Sequence, residues 1–318
     1  MTLERIASHW IIPADMQGVR VDAYLQRKIG RISRARAKRI IEAEDFLLDG
    51  LAVKVSKRVK PGSKATLWRI KPDNDDAVDG VKIDAIFEDQ ELLALNKPFG
   101  LSVHPSANCL YKTLTHWLRI NRPDHKINPC HRIDKETSGL ILCAKDRDFE
   151  SSIKKQFMRS QIKKTYVAVV EGQMMKPLTI DMPLALQRAR GLVRIKMIED
   201  QEGKKALTRV RPLLYDSHKN RTLVMCRPKT GRQHQIRAHL SYLGHAIVGD
   251  KLYGHGEQFF DDYCHRRPGI MERLVHPRHA LHAYALTFRK NNKILRLFCP
   301  LPQDFYELMS IPILLRSQ

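Results

Sequence analysis

The sequence predicts an α+β fold, because segments typical of strands and of helices follow one another without a regular repeat. Short apolar runs such as Leu92–Leu95 and the strict alternation from Lys164 to Val170 indicate strands. From Arg232 to Leu243 the apolar residues recur with a helical period, and Gly244 follows as a stop signal. We therefore expect a large mixed, mainly antiparallel sheet that is flanked by helices and loops.

A smaller domain is expected ahead of this sheet. Residues 72–80 are polar and acidic and contain helix breakers, which is typical of a linker. We place a first domain at residues 13–72, the linker at 73–83 and a second domain at 84–318. Residues 20–64 hold 13 basic and five acidic residues, so this domain carries a large share of the positive charge.

The basic residues of the first domain lie on one face of a predicted helix. Ser33 is a suitable N-cap for a helix that runs to about Ala43. Residues such as Ile41 face inward, whereas Arg34 and Lys38, four positions apart, face outward together. The helix therefore presents a cationic surface, which either binds RNA or is simply a solvated face.

Two hairpins are expected on either side of the linker. In the first, Phe46–Leu48 and Val53–Val55 are joined through the turn residues Asp49 and Gly50. In the second, Ala85–Phe87 pairs with Leu92–Leu95. Both hairpins are short apolar runs separated by polar turn residues, as strands in a two-layer fold require.

Composition favours a polyanionic partner. The 318 residues include 56 lysines and arginines and 34 acidic residues, which gives a formal charge of +22. RNA is a better candidate than a membrane, because no apolar run reaches the roughly 18 residues that a spanning helix needs. The N-terminus lacks the pattern of a signal peptide, so we expect a cytoplasmic protein, and the six scattered cysteines are expected to be reduced thiols.

One carboxylate lies among cations directly before an apolar strand. His131, Arg132 and Lys135 surround Asp134 in the sequence, and positive neighbours favour the ionised form of a carboxyl group. An ionised carboxylate suits a nucleophile better than a proton donor. The alternative is a surface turn with an ordinary ion pair, and this window alone does not decide between the two.

Distant segments do bear on that choice, because several match one family in sequence order. The chain resembles the RluA family of RNA pseudouridine synthases over about residues 84–305. The matching segments are residues 96–101, 131–134 with 137–140, 164–172, 230–240 with 249–254, and 278–283. The resemblance implies a bent sheet in the catalytic domain and a reaction in which uracil is detached from ribose, rotated and rejoined through carbon 5, without cofactor or metal.

The resemblance also implies roles for particular residues. Asp134 corresponds to the catalytic aspartate, Arg237 to the arginine that pairs with it, and Tyr166 to an active-site tyrosine that stacks on uracil and passes a proton from carbon 5. Arg132 corresponds to the residue that fills the space of a flipped uridine, and Leu281 to an apolar residue beneath the base. Whether Asp134 attacks ribose or uracil, or acts as a base toward a glycal, stays open.

Each role has a plainer alternative. Tyr166 alone would more often be a packing residue between strands, Arg132 a phosphate contact, and Leu281 part of the core. Further candidate RNA contacts within or beside the matching segments are His131, Arg232 and Lys97.

The leading domain resembles the small RNA-binding module shared with ribosomal protein S-four. The resemblance rests on residues 21–25, 33–34 and 61–62 together with the predicted helix and hairpin. It implies a small α/β RNA-binding domain, with Arg34 and Lys38 as RNA contacts. We expect a monomer whose partner is RNA, ribosomal RNA before transfer RNA, and no membrane.

Other functions were weighed against this one. His276, His279 and His282 suggest a metal site, but their spacing lacks the two histidines four apart with an intervening glutamate of a zinc hydrolase. A protein that binds RNA without catalysis would tolerate loss of the candidate catalytic residues, all of which are present. Residues 255–275 fall between two matching segments and form either an RNA contact or a surface loop.

Overall fold

A computed structural model describes residues 5–29, 32, 34–70, 78, 80–105, 111–124, 126–187, 195–264 and 267–310 of the chain. The chain divides into two compact units, residues 1–75 and 76–318, which are called here the N-terminal and C-terminal units. The predicted linker falls largely outside the described residues. No helix in the described part of the chain has both the length and the apolar character needed to cross a membrane.

The N-terminal unit packs two helices against a four-stranded sheet. Its strands follow the order β1-β4-β2-β3, and β1 precedes residue 13, where we placed the start of the first domain. The elements are β1 (Arg5–Ile11), α1 (Val21–Ile29), α2 (Arg34–Glu42), β2 (Phe46–Leu48), β3 (Leu51–Ala52) and β4 (Lys64–Ile70). Apolar residues of both helices and of β2 and β4 form one buried core.

The helix faces in this unit are confirmed. Within α2, Ala37 and Ile41 are buried, whereas Arg34 and Lys38 are exposed on the opposite side. The proposed cap, Ser33, lies outside the described residues. The sequence pattern therefore located the cationic helix face correctly, because the apolar residues recur at helical spacing.

The first hairpin is confirmed, but its second strand was placed too late. Asp49 and Gly50 have positive φ angles of 51° and 81°, so they form a two-residue turn. Such a turn returns the chain at once, and Leu48 therefore pairs with Leu51. The second strand is consequently Leu51–Ala52 and not Val53–Val55.

The C-terminal unit is built on one large mixed sheet, which confirms the predicted α+β class. Its main path runs β10-β13-β14-β9-β15-β8-β6-β5, with β16 on β15 and β7 on β8. The strands are β5 (Ala85–Glu88), β6 (Leu92–Lys97), β7 (Asn128–Pro129), β8 (Ser138–Ala144), β9 (Lys163–Glu171), β10 (Leu178–Asp181), β13 (Leu207–Asp216), β14 (Arg221–Pro228), β15 (Leu281–Lys290) and β16 (Lys293–Phe298). Among the described pairs of strands only β15 with β8 is parallel.

Helices and one small hairpin surround this sheet. The helices are α3 (Leu114–Asn121), α4 (Arg147–Met158), α5 (Gln235–Tyr242), α6 (Glu257–Cys264) and α7 (Gln303–Leu308), and the hairpin pairs β11 (Leu184–Leu186) with β12 (Met197–Glu199). The predicted helix over 232–243 begins only at Gln235, because His234 has a φ of 53°. Gly244, with a φ of 80°, ends it as expected.

Three neighbouring strands carry parts of three segments that matched the family, which are residues 137–140, 164–172 and 278–283. The strands β9, β15 and β8 lie side by side, although they are far apart in sequence. Tyr166 of β9 pairs with Ala283 of β15, which in turn pairs with Gly139 of β8. Residues paired across neighbouring strands project to the same face of a sheet, so the row places two small residues beside the tyrosine ring.

Gly139 is required by its position. Its φ is +107°, and a Cβ atom there would lie 2.4 Å from the carbonyl oxygen of Ala283. The β8 and β15 backbones therefore approach each other more closely than any side chain allows. The strand that follows Asp134 owes its pairing to this contact.

We expect Gly139→Ala to lower the free energy of unfolding by more than about 3 kcal/mol, because it combines backbone strain with a clash against backbone atoms. Gly244→Ala is the matched control, since its φ is also positive but no heavy atom lies within 4 Å of the added carbon. That control should cost about 1 kcal/mol. Urea denaturation measures both, and equal losses would contradict the close-approach argument.

Candidate active site

A cavity of about 690 Å³ in the C-terminal unit collects residues from distant parts of the chain. Arg132 and Asp134 come from the loop before β8, Tyr166 from β9, Arg237 from α5 and Leu281 from the start of β15. The structure thus brings together all five residues for which the resemblance implied a role at the target uridine. Asp134 and Arg237 are 103 positions apart in sequence, so the fold and not the local sequence brings them together.

One guanidinium group joins two carboxylates in this cavity. Arg237 donates from Nη1 to Asp134 Oδ2 at 3.2 Å and from Nε and Nη2 to the two oxygens of Asp250 at 2.6 and 2.9 Å. Asp250 is 1% exposed and also accepts the backbone N–H groups of Leu252 and Tyr253, each at 3.0 Å. The bidentate hydrogen bond to Asp250 fixes the plane of the guanidinium, and the remaining Nη1 donor then holds Asp134.

Sequence reasoning assigned no role to Asp250. It lies in a matching segment, but its role depends on the distant charge that it faces, which is the buried guanidinium of Arg237. The ring of Tyr253 supports the same group, because the Arg237 carbon Cζ lies 5.0 Å from its centroid.

Hydrogen bonds of Gln235 fix the start of α5, the helix that carries Arg237. Gln235 Oε1 accepts hydrogen bonds from Thr230 Oγ1 at 2.7 Å and from the Arg232 backbone N–H at 3.0 Å. Its side-chain amide nitrogen donates to the carbonyl of Leu207 and to Thr208 Oγ1. A buried amide with its polar atoms paired in this way anchors the first turn of α5 to β13.

Asp134 is ionised at neutral pH. Burial alone would raise the pKa of this carboxyl, but the positive charge of Arg237 and its hydrogen bond outweigh burial and hold the pKa below its ordinary value. The side chain keeps 25% of its surface exposed, so a substrate atom can reach it. An accessible, ionised carboxylate is suited to nucleophilic or base chemistry.

Tyr166 keeps its proton. Burial, and then the negative charge of Asp134, raise the pKa of the phenol above its ordinary value. The side chain is half-buried and lines the same cavity as Asp134. The site therefore pairs a charged carboxylate with a neutral hydroxyl.

Arg132 and Arg232 occupy the open side of the cavity. Both are exposed, and Arg232 donates from Nε to the carbonyl of Lys205 at 3.0 Å. Lys154 and Lys164 line the same side. This cationic margin above an acidic centre matches a substrate with a phosphate backbone. Leu281, in contrast, is 4% exposed and contributes apolar surface from within.

Lys97 is placed differently from an RNA contact, whereas His131 lines the cavity. Lys97 is fully buried, its Nζ donates to the carbonyls of Pro98, Leu101 and Lys135, and burial lowers its pKa to about 7. His131 Nε2 accepts the Leu142 backbone N–H at 3.0 Å. Lys97 therefore joins the 98–101 loop to the loop that carries Asp134. His131 holds the start of the latter loop against β8.

The histidines considered for a metal each bond to a separate group. The three hydrogen-bonded pairs are His276 with Asp304, His279 with Thr137, and His282 with Ser138. Among the described residues no group of three histidine, cysteine or acidic side chains could hold a metal ion. The other candidate contacts, Arg34 and Lys38, are exposed in the N-terminal unit, near Asp22 and Glu42 respectively.

Fold and site together define an enzyme class: an ionised carboxylate, held by an arginine beside a neutral tyrosine, under a cationic margin that suits RNA. The family model described as RNA pseudouridylate synthase matches residues 91–242. A ribosomal large subunit pseudouridine synthase D from Nitrosomonas europaea is 31% identical over 307 residues, covering 94% of this chain and 86% of the relative. An uncharacterized RNA pseudouridine synthase, YlyB of Bacillus subtilis, is 30% identical and covers 93% and 94% respectively.

Solved structures agree. Human RNA pseudouridylate synthase domain containing 4 superimposes with a TM-score of 0.54 at 26% identity, covering 71% of this chain and 91% of that structure. The chain belongs to the RluA family of RNA pseudouridine synthases, and the family identified from the sequence is confirmed.

The buried histidines of the site region predict a dependence of stability on pH. Burial lowers the pKa of His131 to about 3 and of His234 and His282 to about 4, from an ordinary 6.5. As the pH falls from 6.5 toward 4, the unfolded chain takes up protons at these positions and the folded protein does not. Acid therefore favours unfolding, by up to about 1.4 kcal/mol per pH unit for each group.

We expect the free energy of unfolding in urea to decrease from pH 7 to pH 5. His131→Gln should reduce the slope, because the amide oxygen can accept the same backbone N–H without titrating. A slope that is unchanged in this variant would show that His131 is protonated equally in both states.

Proposed function

We propose that this protein converts specific uridines of large-subunit ribosomal RNA to pseudouridine, with Asp134 as the catalytic residue. The observation that carries the proposal is the ionised Asp134 held by Arg237 at a cavity that also presents Tyr166. The relatives named as ribosomal large subunit pseudouridine synthases D and C support ribosomal RNA as the substrate. Transfer RNA is the alternative substrate, and no observation on this chain favours it.

The reaction is an isomerisation, so no atom is gained or lost. The bond between ribose C1′ and uracil N1 breaks, the base rotates, C1′ bonds to C5, and the proton on C5 is transferred to N1. Asp134 attacks ribose C1′, adds to the uracil ring, or acts as a base toward a glycal, and each route requires the ionised carboxylate that Arg237 maintains. Tyr166, still protonated, is placed to stack on the base and to relay the C5 proton.

The target uridine must leave its stack to reach Asp134, which costs a few kcal/mol. Arg132 is exposed at the margin of the cavity and is proposed to fill the vacated space. Leu281 supplies apolar surface under the base. Arg232, Lys154 and Lys164 lie where they can hold the phosphates of the strand that enters.

The N-terminal unit is proposed to be an RNA-binding domain like that of ribosomal protein S-four, corresponding to residues 13–72 in our division. The exposed basic face of α2 supports this, with Arg34 and Lys38 as contacts. Phosphate contacts by such a face add affinity without sequence information. We further propose that the enzyme acts as a monomer in the cytoplasm.

We expect Asp134→Asn to abolish pseudouridine formation, because a neutral amide cannot perform any of the three roles of the carboxylate. RNA affinity should stay within about tenfold, since phosphate contacts dominate binding. Adduct-dependent primer extension on total RNA from cells with wild-type or variant protein measures the activity and names the uridine. Asp148→Asn, an exposed acid on α4, is the control that should remain active; turnover by Asp134→Asn would overturn the proposal.

We expect Arg34→Glu combined with Lys38→Glu to weaken RNA binding at least tenfold and to reduce the slope of log affinity against log salt by about two. Turnover at saturating RNA should be nearly unchanged. The control pair, Lys176→Glu with Lys293→Glu, reverses two exposed charges of the C-terminal unit. Equal losses for both pairs in a binding titration would argue against a specific role for α2.

A further inference from the structure

A second cavity, of about 580 Å³, adjoins Asp134. The loop residues Arg132, Ile133 and Asp134, together with His234 and Arg237, line both cavities. Tyr166 and Leu281 line only the first, which therefore is the place for the target uracil. The second cavity has no role in the reaction described so far.

An exposed aromatic residue lines this second cavity. Phe99 is 51% exposed, and the loop that carries it is held firmly on both sides. Lys97 Nζ donates to the carbonyls of Pro98 and Leu101, each at 2.7 Å, and the Gly100 N–H donates to the carbonyl of Lys135 at 2.8 Å. Phe99 is thus presented by a rigid loop that is bonded to the residue after Asp134.

A guanidinium group supports the ring. The Cζ atom of Arg278 lies 5.0 Å from the centroid of Phe99. Arg278 is 1% exposed and cannot move aside, because Nε and Nη2 donate to Asp304 at 2.8 and 3.0 Å. A stacked arginine on one side and an exposed surface on the other leave the ring available to a second planar group.

The charges around the cavity suit a nucleotide. Arg132 and Lys135 are exposed at its edge, whereas Lys251, which is buried, pairs with Glu136 at 2.7 Å. A phosphate near the two exposed cations and a base on the aromatic ring would use the interactions by which proteins hold single-stranded RNA. The volume lies in the range of cavities that hold small organic ligands.

We propose that the second cavity binds a nucleotide next to the target uridine, with its base stacked on Phe99 and its phosphate near Arg132 and Lys135. This inference rests on the proposed function and deepens it. Because Arg132, Ile133 and Asp134 line both cavities, neighbouring nucleotides of one strand can enter them together. Phe99 then contributes to the choice of sequence around the uridine.

A thermodynamic cycle tests the proposal. The probes are RNA oligonucleotides of about 20 nucleotides around the mapped uridine, intact or with a single abasic residue at each of the two positions on either side. Their dissociation constants are measured by fluorescence anisotropy in the Asp134→Asn background, with and without Phe99→Ala. We expect Phe99→Ala to weaken binding of intact RNA at least fivefold, but to have less than a twofold effect when one particular neighbouring base is missing.

Phe298→Ala is the matched control, because Phe298 is 50% exposed on β16 and lines neither cavity. Phe298→Ala should leave the dissociation constants of the intact and abasic RNAs unchanged. A Phe99→Ala effect that is the same for the intact and all four abasic RNAs would overturn the proposal. If the substitution impairs folding, Phe99→Trp replaces it: stacking of a base should quench the added fluorescence on binding, and unchanged fluorescence at saturation would equally overturn the subsite.

The outcome is separable from that of the proposed function. If the effect of Phe99→Ala does not depend on any neighbouring base, but the protein still forms pseudouridine, only the proposed subsite is wrong. Failure of wild-type protein to form pseudouridine in any cellular RNA removes the proposed function, and quenching of Phe99→Trp by a fragment of ribosomal RNA would still report a stacking site.

Discussion

The site depends on the bridge that Arg237 makes between Asp134 and Asp250. Burying a guanidinium group without partners costs free energy. Asp250 is a partner that is itself buried and that accepts the backbone N–H groups of Leu252 and Tyr253. Because both oxygens of Asp250 are bonded to Arg237, the remaining Nη1 donor has a fixed direction, and it donates to the carboxylate of Asp134. The position and ionisation of Asp134 therefore depend on a second acid, Asp250, which is 1% exposed.

The sheet positions everything else relative to this bridge. Tyr166, Ala283 and Gly139 form one row across β9, β15 and β8, and Tyr166 packs against the core cluster that contains Ala283. Lys97 fixes a second loop in place. Its Nζ donates to the carbonyls of Pro98, Leu101 and Lys135, and so joins the 98–101 loop to the loop that carries Asp134. Rigid support of this kind allows exposed side chains such as Arg132 and Phe99 to keep a defined place.

Much of this was predictable because the signals are local. The period of β9, the faces of α2 and the Gly244 stop follow from residue spacing, and the motif around Asp134 follows from its neighbours. The roles of Asp250, Gln235 and Lys97 were not predictable, since each depends on which distant carbonyl or charge lies opposite. The late start of α5 was also missed, because the left-handed conformation of His234 is a tertiary requirement and not a sequence preference.

The parallel pairing of β8 with β15 has a consequence for the order of biosynthesis. His282 and Ala283 pair with Ser138 and Gly139, so β15 inserts between two strands that are made more than one hundred residues earlier. Until those late residues leave the ribosome, β8 and β9 have no common neighbour and the Asp134 loop has no completed wall. Such non-local closure is slow compared with local folding. A nascent chain therefore completes this wall of the cavity only after Ala283 has been translated, although Asp134 is incorporated 149 residues earlier.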